Sequence, residues 1–350
     1  MRNYIIKRIL LLIPTLFGIM CINFALIQLS PGGPIELLVA KYSIVSTGEL
    51  NASSFSDTLY KGRNGVSEES LEELKKLYGF DKPIIMRFFT MMRDYLCFDF
   101  GESFYRKSSV LEIIKEKLPV SISLGVFSTL LIYLISIPLG IKKALKNGSK
   151  FDIISSIIII FAYSIPAFIL AIALIILFCG GNYWDIFPLK GIVSDDFKEL
   201  SLLGKIKDYL WHICLPVFCI TIGGFATLGL LVKNSFLDEV NKQYVLVART
   251  KGLSPMQVVY RHIFRNAMLL VIASFPSAFM AMFFSGSLMI EIIFSLDGLG
   301  LLGYESVVNR DFPVIFASLY IFTLLGLIVG IISDLTYSLV DRRIDFEERK

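Results

Sequence analysis

The run VARTKGLSPMQVVYRHIFRNA, Val247 to Ala267, gathers Arg249, Lys251, Arg261, His262 and Arg265 in a chain that is otherwise strongly apolar. Cations at this density recognise phosphates, carboxylates and anionic surfaces. No nucleophile–base motif accompanies them, so the chemistry is recognition rather than catalysis. The local pattern is two helices around a corner. FLDEVNKQYVLVARTKG predicts a helix stopped at Gly252. Ser254 then reads as an N-cap, Pro255 as the first helical residue and Gln257 as the capping-box partner. Met256, Val259 and Tyr260, with Ile263 or Phe264, recur at helical spacing among the cations. Two readings fit equally: a helix lying on lipid head groups, or one docking in a groove on a partner.

The other chemical candidates are weak. GLGLLG, Gly298 to Gly303, has the dinucleotide spacing, but that fingerprint needs a strand before it and a βαβ unit around it. Here it follows an apolar span, so a re-entrant or surface turn is expected. Neither G-x-x-x-x-G-K-[ST] nor H-E-x-x-H occurs, so any ATP must be handled by another chain. His212 and His262 are far apart in sequence, and no His/Cys cluster has metal-ligand spacing. His212 beside Trp211 suggests an interfacial anchor. Cys21, Cys179, Cys214 and Cys219 fall in apolar spans, and Cys97 alone lies in an outside loop, so no disulfide framework is predicted. Glu291 and Asp334 sit toward span ends, which argues against a proton relay.

These residues must be placed by membrane helices. Of 350 residues, 55% are hydrophobic and only 18% charged, and the mean hydropathy is +0.69, a composition typical of integral membrane proteins. The net charge of +4 is too small and too dispersed for a nucleic-acid footprint. Six stretches reach the roughly 20 apolar residues a span requires: Ile9–Leu29, Leu118–Ile141, Ile153–Cys179, Tyr209–Val232, Met268–Ile293 and Phe312–Val340. The first is too long for a signal-peptide core and reads as a retained span. With the N-terminus inside, seventeen Lys and Arg fall on inside segments, against Lys190, Lys198, Lys205, Lys207 and Arg310 on the short outside loops. The positive-inside rule therefore predicts N-in, C-in and puts the basic hairpin in the cytoplasm.

The expected layout is an N-terminal span (1–29), an outside loop with short helices (30–117), a five-helix core (118–340) with the hairpin at 233–267, and an inside tail (341–350). In the outside loop, SPGGP predicts a rigid turn and residues 46–65 a polar linker. A helix is expected from Ser67 or Ser70. Another should start after Pro83, with Ile84, Ile85, Phe88, Phe89, Met92, Tyr95 and Leu96 packing on the membrane domain or lying at its surface. Thr15, Asn23 and Gln28 are expected to hydrogen-bond across helices.

YVLVARTKGLSPMQVVYRHIFRNAM resembles the EAA-type cytoplasmic motif of ABC importer permeases, specifically the dipeptide and oligopeptide branch. Tyr244, Ala248, Arg249, Lys251, Gly252, Leu253, Ser254, Arg261, His262, Arg265, Asn266 and Ala267 match it, and Thr250 stands where Ala is commoner. YIIKRILLLIPTLFGIMCINFALIQLSPGGP, LPVSISLG, WHICLPV and SLDGLGLLGYESVVNRDFPV resemble other family segments, although Gly33 replaces the usual Asp of PGDP. PGGP, FDFG, NSFLDEV, RDFPV and VDRRIDFE are closest to a sub-branch associated with microcin C and peptide uptake.

The resemblance implies an all-α, six-span, MetI-like type I importer permease in a bacterial inner membrane. It implies no cofactor on this chain, with ATP and Mg bound by partner ATPases. The implied partners are two ATPase subunits or one fused ATPase, a second homologous permease, a periplasmic peptide-binding protein and membrane lipid, with no nucleic acid. Coupling to the ATPases falls to Tyr244, Ala248, Arg249, Lys251, Gly252, Leu253, Ser254, Pro255, Met256, Val259, Arg261 and Arg265. The rival reading, a stand-alone secondary transporter or channel, predicts inverted repeats and buried ionisable pairs. Neither is evident in the sequence.

Overall fold

The computed structural model describes residues 2–29, 82–106, 108–180, 183–284 and 288–340. The expected SPGGP turn, the 46–65 linker, the helix from Ser67 or Ser70 and the 341–350 tail lie outside the described residues. Every regular element among the described residues is helical, apart from an isolated bridge between Glu102 and Ser109. The helices are α1 (Arg2–Leu29), α2 (Ile84–Leu96), α3 (Val110–Leu145), α4 (Lys150–Ser164), α5 (Ala167–Phe178), α6 (Leu202–Val240), α7 (Gln243–Thr250), α8 (Pro255–Val258), α9 (Phe264–Phe284), α10 (Leu288–Ile293), α11 (Leu299–Val308) and α12 (Phe312–Val340).

Five described helices are long and apolar enough to cross a membrane, and a bent pair can make a sixth. That pair is the third expected span. It is not one helix: α4 and α5 meet at 90°. Pro166 lacks an N–H, and Ile165 before it is extended, at φ −87° and ψ 118°. The fifth expected span, Met268–Ile293, begins earlier than expected, with the helix Phe264–Phe284, and Leu288–Ile293 is helical as well. α3 and α6 overrun their predicted apolar cores. At 36 and 39 residues they are about 54 and 58 Å long, against a hydrocarbon core of about 30 Å. Their polar ends stay helical outside it. Many apolar side chains face outward, among them Ile157, Ile158, Phe161, Leu130 and Leu134, as a lipid-facing surface requires.

The described residues fall into two compact units. The described residues of the larger are 2–9, 115–180, 183–284, 288–304 and 325–340. In it α3 and α6 approach through glycine: a Cβ at Gly140 would lie 2.6 Å from Val232, and one at Gly224 2.4 Å from Ile132. Small residues permit this contact between membrane helices. Arg8 pairs with Asp334 at 2.7 Å. Glu291, two residues from the end of Leu288–Ile293 as expected, is wholly buried. It accepts a 2.7 Å hydrogen bond from Leu301 N, while Ser121 Oγ accepts one from Leu299 N. Leu299–Val308 is a helix, so the expected glycine-rich turn shrinks to Gly298, where an added Cβ would sit 2.6 Å from the Glu291 carboxyl carbon. His212 is turned inward, its Nδ1 2.8 Å from the Asp208 carbonyl oxygen, while Trp211 is exposed and lies against Phe187. Of the expected anchor pair only Trp211 is exposed.

The smaller unit, whose described residues are 10–29, 82–106, 108–114 and 305–324, is built on aromatic contacts. α2 starts after Pro83 as expected and buries Phe88 and Tyr95. Phe88 meets Phe17 and Phe24, and Tyr95 meets Phe100 and Tyr320, with edge-on geometry. The packing reading of α2 therefore holds for those two residues, whereas Ile84, Ile85, Phe89 and Leu96 remain exposed. Asp311 pins the loop that follows α2 by accepting from Ser103 Oγ and Phe104 N. Gln28 accepts from Arg87 across elements, but Thr15 bonds back to Leu11 in its own helix.

Candidate functional site: a capped hairpin between two long helices

The hairpin lies in the larger unit. Its first helix differs from expectation. α6 ends at Val240, and a second helix, α7, begins after Lys242, whose backbone is extended at ψ 149°. Glu239 bridges the break. Its carboxylate accepts from the Lys242 ammonium and, at 2.5 Å, from the Tyr244 hydroxyl. Asn266 Nδ2 on α9 donates to the same hydroxyl at 3.3 Å. Tyr244 thus ties together the end of α6, the start of α7 and the start of α9. Burial pushes its phenol above the ordinary value, and the neighbouring Glu239 adds to the effect, so the hydroxyl remains a donor at neutral pH.

The corner itself matches the sequence. α7 ends with Gly252 at φ +80°, in the left-handed region that favours glycine. Ser254 Oγ accepts from Gln257 N, and Gln257 Oε1 accepts from Ser254 N at 3.0 Å. Pro255 occupies the first helical position. α8 then passes through a wide π turn, Val259–Ile263, into α9. Val258, Ile263, Ala267 and Val271 are all buried, the first two five residues apart and the rest four. The π turn absorbs the extra residue and keeps them on one face.

That face is not the displayed one. Val245, Ala248, Val258, Val259 and Ile263 pack with Val232 and Phe236 of α6 and with Ile132 and Ala144 of α3. Ala248 and Val259, at 4% and 3% exposure, support the hairpin from beneath. Arg249, Lys251, Gly252, Ser254, Pro255, Met256, Tyr260, Arg261 and Arg265 form the exposed side, with Leu253 at its edge. Met256 and Tyr260 are each 61% exposed, an unusual position for large apolar groups set among cations. The structure therefore gives a glycine-cornered platform with exposed apolar groups in a basic surround, Met256 and Tyr260 on its second arm and Leu246 and Val247 on its first.

Sequence reasoning missed the clamp and a second cluster. Glu239 with Lys242 is a legible i,i+3 ion pair, but the helix break that brings in Tyr244 is not. The second cluster, nearby, joins three helices: Asp152 at the start of α4 lies between Lys143 of α3 and Lys233 of α6. In the sequence Lys143 and Lys233 registered only as inside charges.

A family described as "Binding-protein-dependent transport system inner membrane component" matches residues 136–346, an interval that contains the whole hairpin. The chain is 55% identical, over the full length of both chains, to the inner membrane ABC transporter permease protein YejB of Escherichia coli O157:H7. It is 52% identical, again over both full lengths, to the peptidoglycan transport system permease protein YejB of Agrobacterium fabrum. Over 99% of this chain and all of the relative, it is 30% identical to the oligopeptide transport system permease protein AppB of Bacillus subtilis. The sub-branch that PGGP and its companion segments resemble is this YejB type. Among solved structures, the inward-facing MetNI methionine ABC transporter superposes with a TM-score of 0.50 at 16% identity, covering 66% of this chain and 98% of that one.

Proposed function

The chain belongs to the family of binding-protein-dependent transport system inner membrane components, and from that premise we propose that it forms the path for peptides in an ATP-driven importer. It is a multi-pass inner-membrane transport subunit, not an enzyme. In this reading it stands N-in, C-in, with layout 1–29, 30–117, 118–340 and 341–350. Two ATPase chains, or one fused ATPase, supply hydrolysis of Mg-bound ATP. A second homologous permease completes the path, and a periplasmic binding protein delivers the cargo. Peptides follow from the relatives, one named for oligopeptide transport and one for peptidoglycan transport. Microcin C-like peptides follow from the sub-branch resemblance.

One observation carries the reading: the hairpin buries one face on its own spans and leaves Met256 and Tyr260 exposed among cations. A groove on an ATPase fits that face, with apolar knobs anchoring and Arg249, Lys251, Arg261 and Arg265 orienting. Tyr244, Ala248, Gly252, Leu253, Ser254, Pro255 and Val259 hold the platform in shape. ATP acts only through its differential affinity for two states, so a platform that deformed freely would dissipate the difference. The test is purification from native membranes through a C-terminal tag. Recovery of ATPase chains and a second permease is expected. A chain that emerges alone, and still moves peptide in vesicles without ATP, overturns the proposal.

A further inference from the structure

The Lys143–Asp152–Lys233 cluster is nearly sealed from solvent. Lys143 is 0% exposed and Asp152 5%. Lys143 Nζ lies 3.0 Å from Asp152 Oδ1 and donates to Asp152 O, Ser155 Oγ and Ser156 Oγ at 2.7–2.9 Å. Lys233 Nζ is 2.8 Å from both carboxylate oxygens, and Gly148 N donates to Oδ2 at 3.1 Å. Burying such charges is costly, and a well-packed apolar substitute is often as stable. What the ionic arrangement adds is fixed register, because each donor has one place to be.

The position of the cluster gives that register a use. Within this chain α4 buries only Asp152 and Ile159, while Ile153, Ile154, Ile157, Ile158, Ile160 and Phe161 are exposed. Lys233 lies between Val232 and Phe236, whose side chains sit under the hairpin. The seven residue steps from Lys233 to the end of α6 at Val240 span about 10 Å of helix. Beyond Ser164 the chain bends by 90° into α5, so α4 can shift without dragging α5 along its axis. We propose that this cluster is the joint that carries hairpin movement into the bent third span, with Asp152 and Lys233 as positioning residues for transport. The proposal rests on the ATP-coupled reading above.

The test uses the whole complex and hydrogen–deuterium exchange, with and without trapping by ATP and vanadate. Lys233→Met cuts the link to α6 and leaves the Lys143–Asp152 pair balanced. In the unmodified complex, trapping changes exchange both in the hairpin, 243–263, and at the head of the third span, 146–156. In Lys233→Met the hairpin response persists and the 146–156 response falls at least twofold, with uptake per ATP hydrolysed reduced in step. Asp152→Asn, which removes the shared carboxylate, gives the same split. Equal responses at 146–156 in variant and unmodified complexes overturn the proposal. So does a pair of variants that no longer assemble, since the cluster is then a folding element. A hairpin that does not respond in the unmodified complex overturns the ATP-coupled reading itself, and is seen separately.

Discussion

Gly252 offers a graded test of the corner. Its φ of +80° is left-handed, and a Cβ there would meet nothing within 4 Å. A substitution therefore strains the backbone without a clash. For an ordinary L-residue the left-handed region costs about 1–2 kcal/mol, and Asn tolerates it better. That cost shifts the balance between the native corner and its alternatives by about 5–30-fold. Apparent affinity falls with the fraction in the competent shape. Gly252→Ala should weaken recovery of the ATPases and lower uptake per ATP within that range, Gly252→Asn should do so less, and Gly252→Val at least as much as Ala. The assay is peptide uptake and ATP hydrolysis in proteoliposomes, with subunit recovery measured on the same samples. Hydrolysis should persist while uptake drops. If Asn is as damaging as Ala, conformation is not the cause. If all three behave as the unmodified chain, the corner does not touch the machinery.

Arg249→Glu reverses an exposed charge on the platform. Association with the ATPases should weaken at least tenfold, about 1.4 kcal/mol, with normal membrane insertion; unchanged subunit recovery contradicts this. Tyr244→Phe removes the hydroxyl that donates to Glu239 and accepts from Asn266. After allowance for partial exposure the loss is about 1–2 kcal/mol, read as a lower midpoint in thermal unfolding of the complex. The folded phenol titrates above its ordinary value of 10.0, so its contribution is complete below that pH and is lost only as pH rises through the higher folded value. The gap between Tyr and Phe should thus be constant from pH 6 to 9, and a gap that closes within that window refutes the clamp. Gly298→Ala drives a Cβ to 2.6 Å from the buried Glu291 carboxyl carbon, whereas Gly303→Ala meets nothing within 4 Å. The first should destabilise by about 1–3 kcal/mol and the second be neutral or better in its helix; equal unfolding midpoints would remove Glu291 from the account.

What was legible follows a physical division. Capping is local chemistry within four residues, so Ser254, Pro255 and Gln257 declared the second hairpin helix before any coordinates, as did Gly252 its stop. Apolar length is local too, and it marked the spans. It could not mark where helices end, because α3 and α6 stay helical beyond their apolar cores, nor see that Pro166 breaks the third span when Pro216 leaves α6 continuous. That difference depends on which neighbours satisfy the freed backbone groups. The faces of the hairpin were misjudged for a related reason. Periodicity grouped Val259 with Met256 and Tyr260, but Val259 is buried with Val258 and Ile263 while the other two are exposed. Least legible was Asp152, whose partners lie 9 and 81 residues away. Lysines at span ends are read as orientation signals because most of them face water or head groups. Lys143 has no exposed surface, and a buried ammonium needs a carboxylate. In a membrane chain an acidic residue in the first turn of a span, close in sequence to such lysines, is therefore a reason to look for a partner on a third helix.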